Sequence, residues 1–280
     1  MFHINKQVTG EDSVRALLSE RAYVADLRDK GLALEIGNIV VDAPQIIERD
    51  FQCDTSRCVR LTKKGKRKGS CCTDLEVNLT PNEERNLRRL AKRRLALRRT
   101  GGGKRAQETE RDEKDGGAPD EAAVRLIARR LADSDSWLEK NYRGEPCLAH
   151  AKDGLCVLGY VSRDGRLMCA LNAMAEAIGE PASKWKLMTC FTFPLHYVEY
   201  EDGKYLLTII CKENHENMDA DKYLGKLRCL RKPPAGAPRA YESLKEEIEL
   251  LLGRLFYARL RKAIEERSKG RNHRLRGLRG

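Results

Sequence analysis

The feature that most constrains this chain of 280 residues is its set of ten cysteines, which fall into two groups. The first group is compact and contains the adjacent pair Cys71 and Cys72, whereas the second is spread from Cys147 to Cys229. No export signal is visible at the start of the sequence, so we expect a cytoplasmic, reducing compartment. There, clustered thiols indicate metal ligands before they indicate disulfides. The cysteines therefore predict a metal-binding protein.

The spacing of these cysteines excludes the common metal motifs. No Cys-x2-Cys pair is present, which argues against a zinc ribbon or a thioredoxin site, and no Cys/His pattern matches a standard finger. Zinc and iron–sulfur clusters both typically take four thiolate ligands. In an extended segment the side chains of Cys71 and Cys72 would point to opposite sides, so the pair either serves two sites or bends to hold one cluster. Burial as small apolar residues is the competing interpretation, and it applies best to Cys229 and Cys147.

The net charge of +12 is concentrated in three basic runs that contain no acidic residue. Residues 59–70 carry six Lys and Arg, residues 88–105 carry nine, and residues 268–280 carry five. No aromatic residues alternate with these charges, so base stacking is not indicated. The runs predict solvated surface charge, or a weak and salt-sensitive contact with a polyanion such as RNA.

Local patterns predict both helices and strands. Apolar spacing and a capping box from Thr80 to Glu83 predict helices over 11–29, 81–99, 120–133, 171–178 and 241–267. Runs rich in apolar and β-branched residues predict strands over 33–41, 155–160, 166–170, 191–200 and 205–211. Turns at Asp164-Gly165 and Asp202-Gly203 join the last four strands into two hairpins.

These elements predict an α+β fold, in which a small cysteine-rich metal-binding core of short strands and loops is surrounded by helices. Residues 1–99 hold the N-terminal helix, a strand and the first cysteine block, and residues 100–119 are a flexible linker. Residues 120–267 hold the second block and the C-terminal helix, and they pack with 33–99 as one domain. Residues 268–280 form a basic disordered tail. No stretch approaches the ~20 apolar residues of a spanning helix, so no membrane partner is expected.

The order of the cysteines is similar to that of a known family. Phe51-Gln-Cys53-Asp-Thr-Ser-Arg-Cys58, followed by Gly69-Ser-Cys71-Cys72-Thr-Asp-Leu, resembles the YkgJ-type cysteine-cluster proteins. These are described as zinc- or iron-chelating proteins of unknown biochemical role, and the nearest branch is known only as a domain of unknown function. The later blocks around Cys156, Cys169, Cys190 and Cys211 agree, and the resemblance covers roughly residues 35–265. It implies a metal centre, either a 4Fe–4S cluster or zinc. Its eight implied ligands are Cys53, Cys58, Cys71, Cys72, Cys156, Cys169, Cys190 and Cys211.

The chain departs from this family in ways that bear on the ligands. Twelve residues separate Cys58 from Cys71, where relatives have only a few. Phe191 stands where the family often has His, and the family's usual His and Trp before Cys211 are missing. These departures favour thiolate-only sites, although His196 and His215 lie in the cysteine-rich half as alternative ligands.

Two further functions compete with simple metal binding. The same cysteine box occurs in a flagellin lysine methylase, which implies a protein-modifying enzyme as one alternative. No Ser-His-Asp, Cys-His or paired-carboxylate arrangement is visible, so we assign no catalytic residue and leave enzymatic activity open. The other alternative is an RNA- or ribosome-binding module that uses the basic segments.

Overall fold

The computed structural model describes residues 11–58, 63–67, 70–74, 76–89, 130, 137–141, 144–162, 165–177, 179–211, 214 and 227–277. The chain divides into two compact units: unit 1 contains residues 1–54 and 192–280, and unit 2 contains residues 55–191. This division differs from the predicted domain, in which 33–99 packed with 120–267. Both helices and small sheets are present, so the predicted α+β class is confirmed. The predicted linker 100–119 and most of the predicted helix 120–133 lie outside the described residues.

A four-stranded sheet forms the centre of unit 1. Its strands β1 (Ala33–Ile36), β2 (Ile39–Asp42), β7 (Leu195–Glu201) and β8 (Lys204–Ile209) lie in the order β1-β2-β8-β7. The predicted single strand 33–41 is wrong, because Gly37 adopts a φ of 63° and folds the segment into the β1–β2 hairpin. The predicted hairpin at Asp202-Gly203 is confirmed by antiparallel β7 and β8. Strand β2 pairs in parallel with β8, which joins two parts of the chain that are far apart in sequence.

Helices cover this sheet and complete unit 1. The predicted N-terminal helix is confirmed as Glu11–Asp29, and its residues Tyr23, Val24 and Leu27 pack on the sheet. Asp42 caps the π-helix Ala43–Glu48 by accepting a hydrogen bond from the Gln45 backbone N–H. Within residues 227–277, the helices are Arg228–Arg231, Ala240–Ser243, Lys245–Leu252 and Arg254–Gly277.

The C-terminal region differs from its predicted form. The predicted continuous helix 241–267 is divided, because Gly253 adopts a φ of 85° between the last two helices. The last helix also continues to Gly277, where a disordered tail from residue 268 was expected.

Unit 2 contains two small hairpins and several short helices. Strands β3 (Leu138–Lys140) and β4 (Pro146–Leu148) form the first hairpin, and β5 (Gly159–Val161) and β6 (Leu167–Cys169) form the second. The second confirms the hairpin predicted at Asp164-Gly165, whereas the first was not predicted. The capping-box helix begins at residue 81 and is described to residue 89. The other helical segments are Thr55–Arg57, Cys71–Asp74, Ala170–Ala177, Ala182–Lys184 and Met188–Thr192.

The core of unit 2 surrounds cysteine side chains. Leu87, Trp137 and Leu171 are almost fully buried there, and Cys156 lies in the same cluster. Cys72, Cys169 and Cys190 are partly buried and pack against it. As for membrane insertion, none of the described helices combines the length and apolarity that crossing a bilayer requires.

Candidate metal centre

The adjacent cysteines lie in one short helical turn, Cys71–Asp74. Ser70 and Thr73 stabilise its start, since the Ser70 backbone N–H donates to Thr73 Oγ1 at 3.1 Å and the Thr73 N–H donates to the Ser70 carbonyl at 3.0 Å. Helical geometry turns successive side chains by about 100°, rather than placing them on opposite sides. The Cys72 thiol accordingly donates a hydrogen bond to the sulfur of Cys71. The turn therefore suits one shared site better than two separate ones.

Backbone hydrogen bonds bring Cys156 and Cys169 of the second group to this turn. The Cys156 N–H donates to the Cys72 carbonyl at 2.7 Å, which ties the loop before β5 to the helical turn. The Gly159 N–H donates to the Cys156 carbonyl at 2.7 Å, and Gly159 pairs with Cys169 across β5 and β6. Cys190 lies on the helix Met188–Thr192. Four separate chain segments thus supply five thiols to the core of unit 2.

Electrostatics confirm that these five thiols interact. The hydrogen bond from Cys72 and, to a smaller extent, the nearby Lys186 ammonium lower the pKa of Cys71 to about 7 against the opposing effect of burial. The same hydrogen bond raises the pKa of Cys72 well above its usual value, with burial and the charges of Cys71, Cys169 and Cys156 acting in the same direction. A negative charge on a neighbouring thiol therefore opposes deprotonation of Cys72.

Burial has the largest effect on the other two shifted thiols. It raises the pKa of Cys156 to about 11, and it raises the pKa of Cys190 well above the usual value. A cation bound among these thiols would stabilise their deprotonated forms, as metals do for coordinating cysteines. Sulfur ligands of this kind suit zinc or an iron–sulfur cluster. The donor set therefore fits the expected metals.

The positions of the described side chains do not by themselves form a coordination shell. Within the described ranges, no three or more His, Cys, Asp or Glu side chains are placed so that they could hold a metal ion as they stand. Ligation by the five thiols would require their side chains to turn toward a common point. A cysteine side chain has a single χ1 torsion, and changing it moves only the sulfur.

The remaining three predicted ligands have different surroundings. Cys58 is buried in unit 2 with Leu155 and Leu167, and Cys72 packs against this small cluster. Cys53 is exposed and belongs to unit 1. Cys211 is also in unit 1, where it is fully buried and its backbone N–H donates to Asn214 Oδ1 at 2.8 Å. Six of the eight predicted ligands therefore lie in unit 2 and two in unit 1.

Other residues singled out from the sequence lie away from the five thiols. Cys147 is 4% exposed in β4, and burial, followed by Glu76 and Glu139, raises the pKa of its thiol. It packs as a small apolar residue, and Cys229 lies on the helix Arg228–Arg231 of unit 1. His196 is also in unit 1, with Nε2 at 3.6 Å from Glu20 Oε1, and His215 lies outside the described residues. Lys186, which influences Cys71 and Cys190, was not predicted because no sequence pattern marks it.

Comparison with known proteins adds no relative to this description. No family model, curated protein or solved structure matches the chain. The resemblance to YkgJ-type proteins thus depends on the order of the cysteines.

Proposed function

We propose that this chain is a metal-binding cysteine-cluster protein of the YkgJ type, in which thiolates of unit 2 hold an iron–sulfur cluster or zinc. The observation that carries the proposal is the group of five interacting thiols, Cys71, Cys72, Cys156, Cys169 and Cys190. Five thiols are sufficient for a four-ligand site, and Cys58 packs beside Cys72 as a further donor. The bound group would stabilise the small unit or carry electrons.

A bound metal would stabilise the deprotonated forms of thiols whose pKa burial raises, such as Cys156.

Elemental analysis of anaerobically purified protein tests this proposal. We expect bound zinc or iron in stoichiometric amount, with visible charge-transfer absorption if iron and sulfide are present. Cys72→Ser and Cys156→Ser should remove most of the metal, because each takes away a thiol of the interacting group. Cys147→Ser and Cys229→Ser are the matched controls and should retain it. A metal content near zero in the unaltered protein would overturn the proposal.

A weak contact with RNA is a second and subordinate proposal. It is supported by exposed Lys63 and Lys64 in the first basic run, whereas Arg67 of the same run forms an ion pair with Asp153 at 2.9 Å. Replacing both lysines by Glu should weaken binding of a fluorescent single-stranded RNA at low salt and leave the metal content unchanged. Binding that is insensitive to salt and to these substitutions would exclude this contact.

A further inference from the structure

The hairpin that carries Cys156 places a histidine directly across from it. The Ala151 N–H donates to the Leu155 carbonyl at 2.7 Å, and the Val157 N–H donates to the Ala149 carbonyl at 2.9 Å. His150 and Cys156 face each other between these two bonds as an antiparallel bridge pair. A pair in this position is not itself hydrogen-bonded, so its Cα atoms are only about 4.5 Å apart and its side chains lie on the same face. The geometry therefore places the His150 and Cys156 side chains on the same face of this turn.

The imidazole also has a nitrogen atom that the surrounding protein does not satisfy. His150 Nε2 is buried and has no hydrogen-bond partner among the described residues. Burying such a nitrogen without a partner is energetically unfavourable. A neutral imidazole nitrogen is among the commonest metal ligands in proteins, and a bound metal would supply the missing partner. This orphaned atom belongs to the residue that faces Cys156 across the bridge.

We propose that His150 is an additional ligand of the metal in unit 2 and binds it through Nε2. This inference rests on the proposed metal-binding function and names a ligand that the cysteine order does not include. It replaces the thiolate-only site expected from the sequence with a mixed site of sulfur and imidazole ligands. A neutral imidazole in place of one thiolate makes the bound group less negative by one charge. In a buried site, this reduces the cost of desolvation and of repulsion between thiolates.

The sequence contains a signal for this ligand, although it matches no standard motif. His150 precedes Cys156 by six residues, and the turn between them includes Asp153 and Gly154. The Gly154 φ of 84° and the bond from its N–H to the Ala151 carbonyl at 2.8 Å close that turn. This tight turn places His150 opposite Cys156, although six positions separate them in the sequence.

X-ray absorption at the K-edge of the bound metal tests the inference on the full chain. We expect a nitrogen shell near 2.0 Å beside a sulfur shell near 2.3 Å, whichever of the two metals is present. His150→Gln should abolish the nitrogen shell and weaken metal retention against a chelator about tenfold or more. His196→Gln, the control in unit 1, should change neither quantity. His150→Cys should restore retention with a sulfur-only shell, which separates loss of a ligand from loss of folding.

The outcomes distinguish this inference from the function on which it rests. Bound metal with no nitrogen shell, or a nitrogen shell that persists in His150→Gln, would overturn ligation by His150 and leave the cysteine site intact. Failure of the unaltered protein to bind zinc or iron would overturn both proposals. Loss of metal in His150→Gln, together with recovery in His150→Cys, would support both.

Discussion

At the residue scale, the most fully bonded buried charge is Asp42 of unit 1. Its carboxylate is fully buried and accepts hydrogen bonds from the Tyr23 hydroxyl at 2.7 Å, Thr208 Oγ1 at 2.6 Å and the Gln45 N–H at 3.2 Å. Burial raises the pKa of Asp42, and the effect of burial exceeds the opposing effect of these hydrogen bonds. The folded state therefore binds a proton at Asp42 more tightly than the unfolded state does.

This shift predicts a pH-dependent effect of Asp42→Asn. The stability that the raised pKa contributes is fully present below the ordinary value near 4 and is lost as the pH rises through the higher value of the folded state. The unfolding free energy of the unaltered protein relative to Asp42→Asn should thus increase as the pH falls from 7 toward 4. Urea denaturation at several pH values measures this difference. Asp202→Asn, at an exposed turn position, is the control, and a pH-independent difference for Asp42→Asn would contradict the assignment.

A second prediction at this scale concerns Lys186. Its charge lowers the pKa of Cys71 and acts in the same direction on Cys190, so it stabilises the thiolate forms that the proposed metal would bind. Lys186→Gln should lower metal affinity several-fold, as measured by competition with a chelator. Lys184→Gln is the matched control because Lys184 is exposed and pairs with Glu180. Equal effects of the two substitutions would argue against a specific role of Lys186.

At the element scale, Glu83 connects two helices of unit 2. One carboxylate oxygen accepts from the Thr80 N–H at 2.8 Å, and the Glu83 N–H donates to Thr80 Oγ1 at 3.2 Å, which completes the capping box. The other oxygen accepts from the Met188 N–H at 2.8 Å, at the start of the helix that carries Cys190. The cap therefore also positions a proposed metal ligand.

These contacts predict different results for two substitutions in the same cap. Thr80→Ala should cost about 1 kcal/mol of stability and leave metal affinity nearly unchanged. Glu83→Ala should cost about 2 kcal/mol, because it also leaves the Met188 N–H without this acceptor, and it should weaken metal binding. Chemical denaturation and chelator competition measure the two quantities. If both variants bind metal equally well, the contact with Met188 does not position Cys190.

How far sequence predicted these elements depended on the range of the interactions that form them. The capping box and the two Asp-Gly hairpins were predicted because a few neighbouring residues determine them. The prediction for residues 33–41 was wrong, because their β-branched content indicates a strand but does not show that the chain reverses direction at Gly37. The prediction of a continuous C-terminal helix was wrong at Gly253, because the φ of this residue depends on packing as well as on local preference.

The candidate site was only partly predictable for the same reason. The eight metal ligands that the family resemblance implies include the five interacting thiols, and their ligation remains a prediction. The order of the cysteines did not assign Cys53 and Cys211 to unit 1, because the parallel pairing of β2 with β8 defines that unit. Lys186 and His150 were not predicted, because each acts through a neighbour that is close only in the folded chain.

At the scale of the whole molecule, the two units predict a localised response to metal removal. A metal held in unit 2 adds its binding free energy to the folding of that unit. Chelation should therefore increase amide hydrogen exchange in peptides from 144–162 and 165–177 much more than in peptides from 195–209. Mass spectrometry of exchange in the full chain measures this contrast. A uniform increase across all three regions would contradict a site confined to unit 2.

The pairing of β2 with β8 has a consequence for how the protein is made. Residues 39–41 leave the ribosome long before their partners at 205–207, with the whole of residues 55–191 synthesised in between. The central sheet of unit 1 cannot close until more than 200 residues have emerged, whereas all of residues 55–191, which hold the proposed metal site, are synthesised before that point. A nascent chain arrested after residue 191 should already take up metal, although β2 has not yet paired with β8.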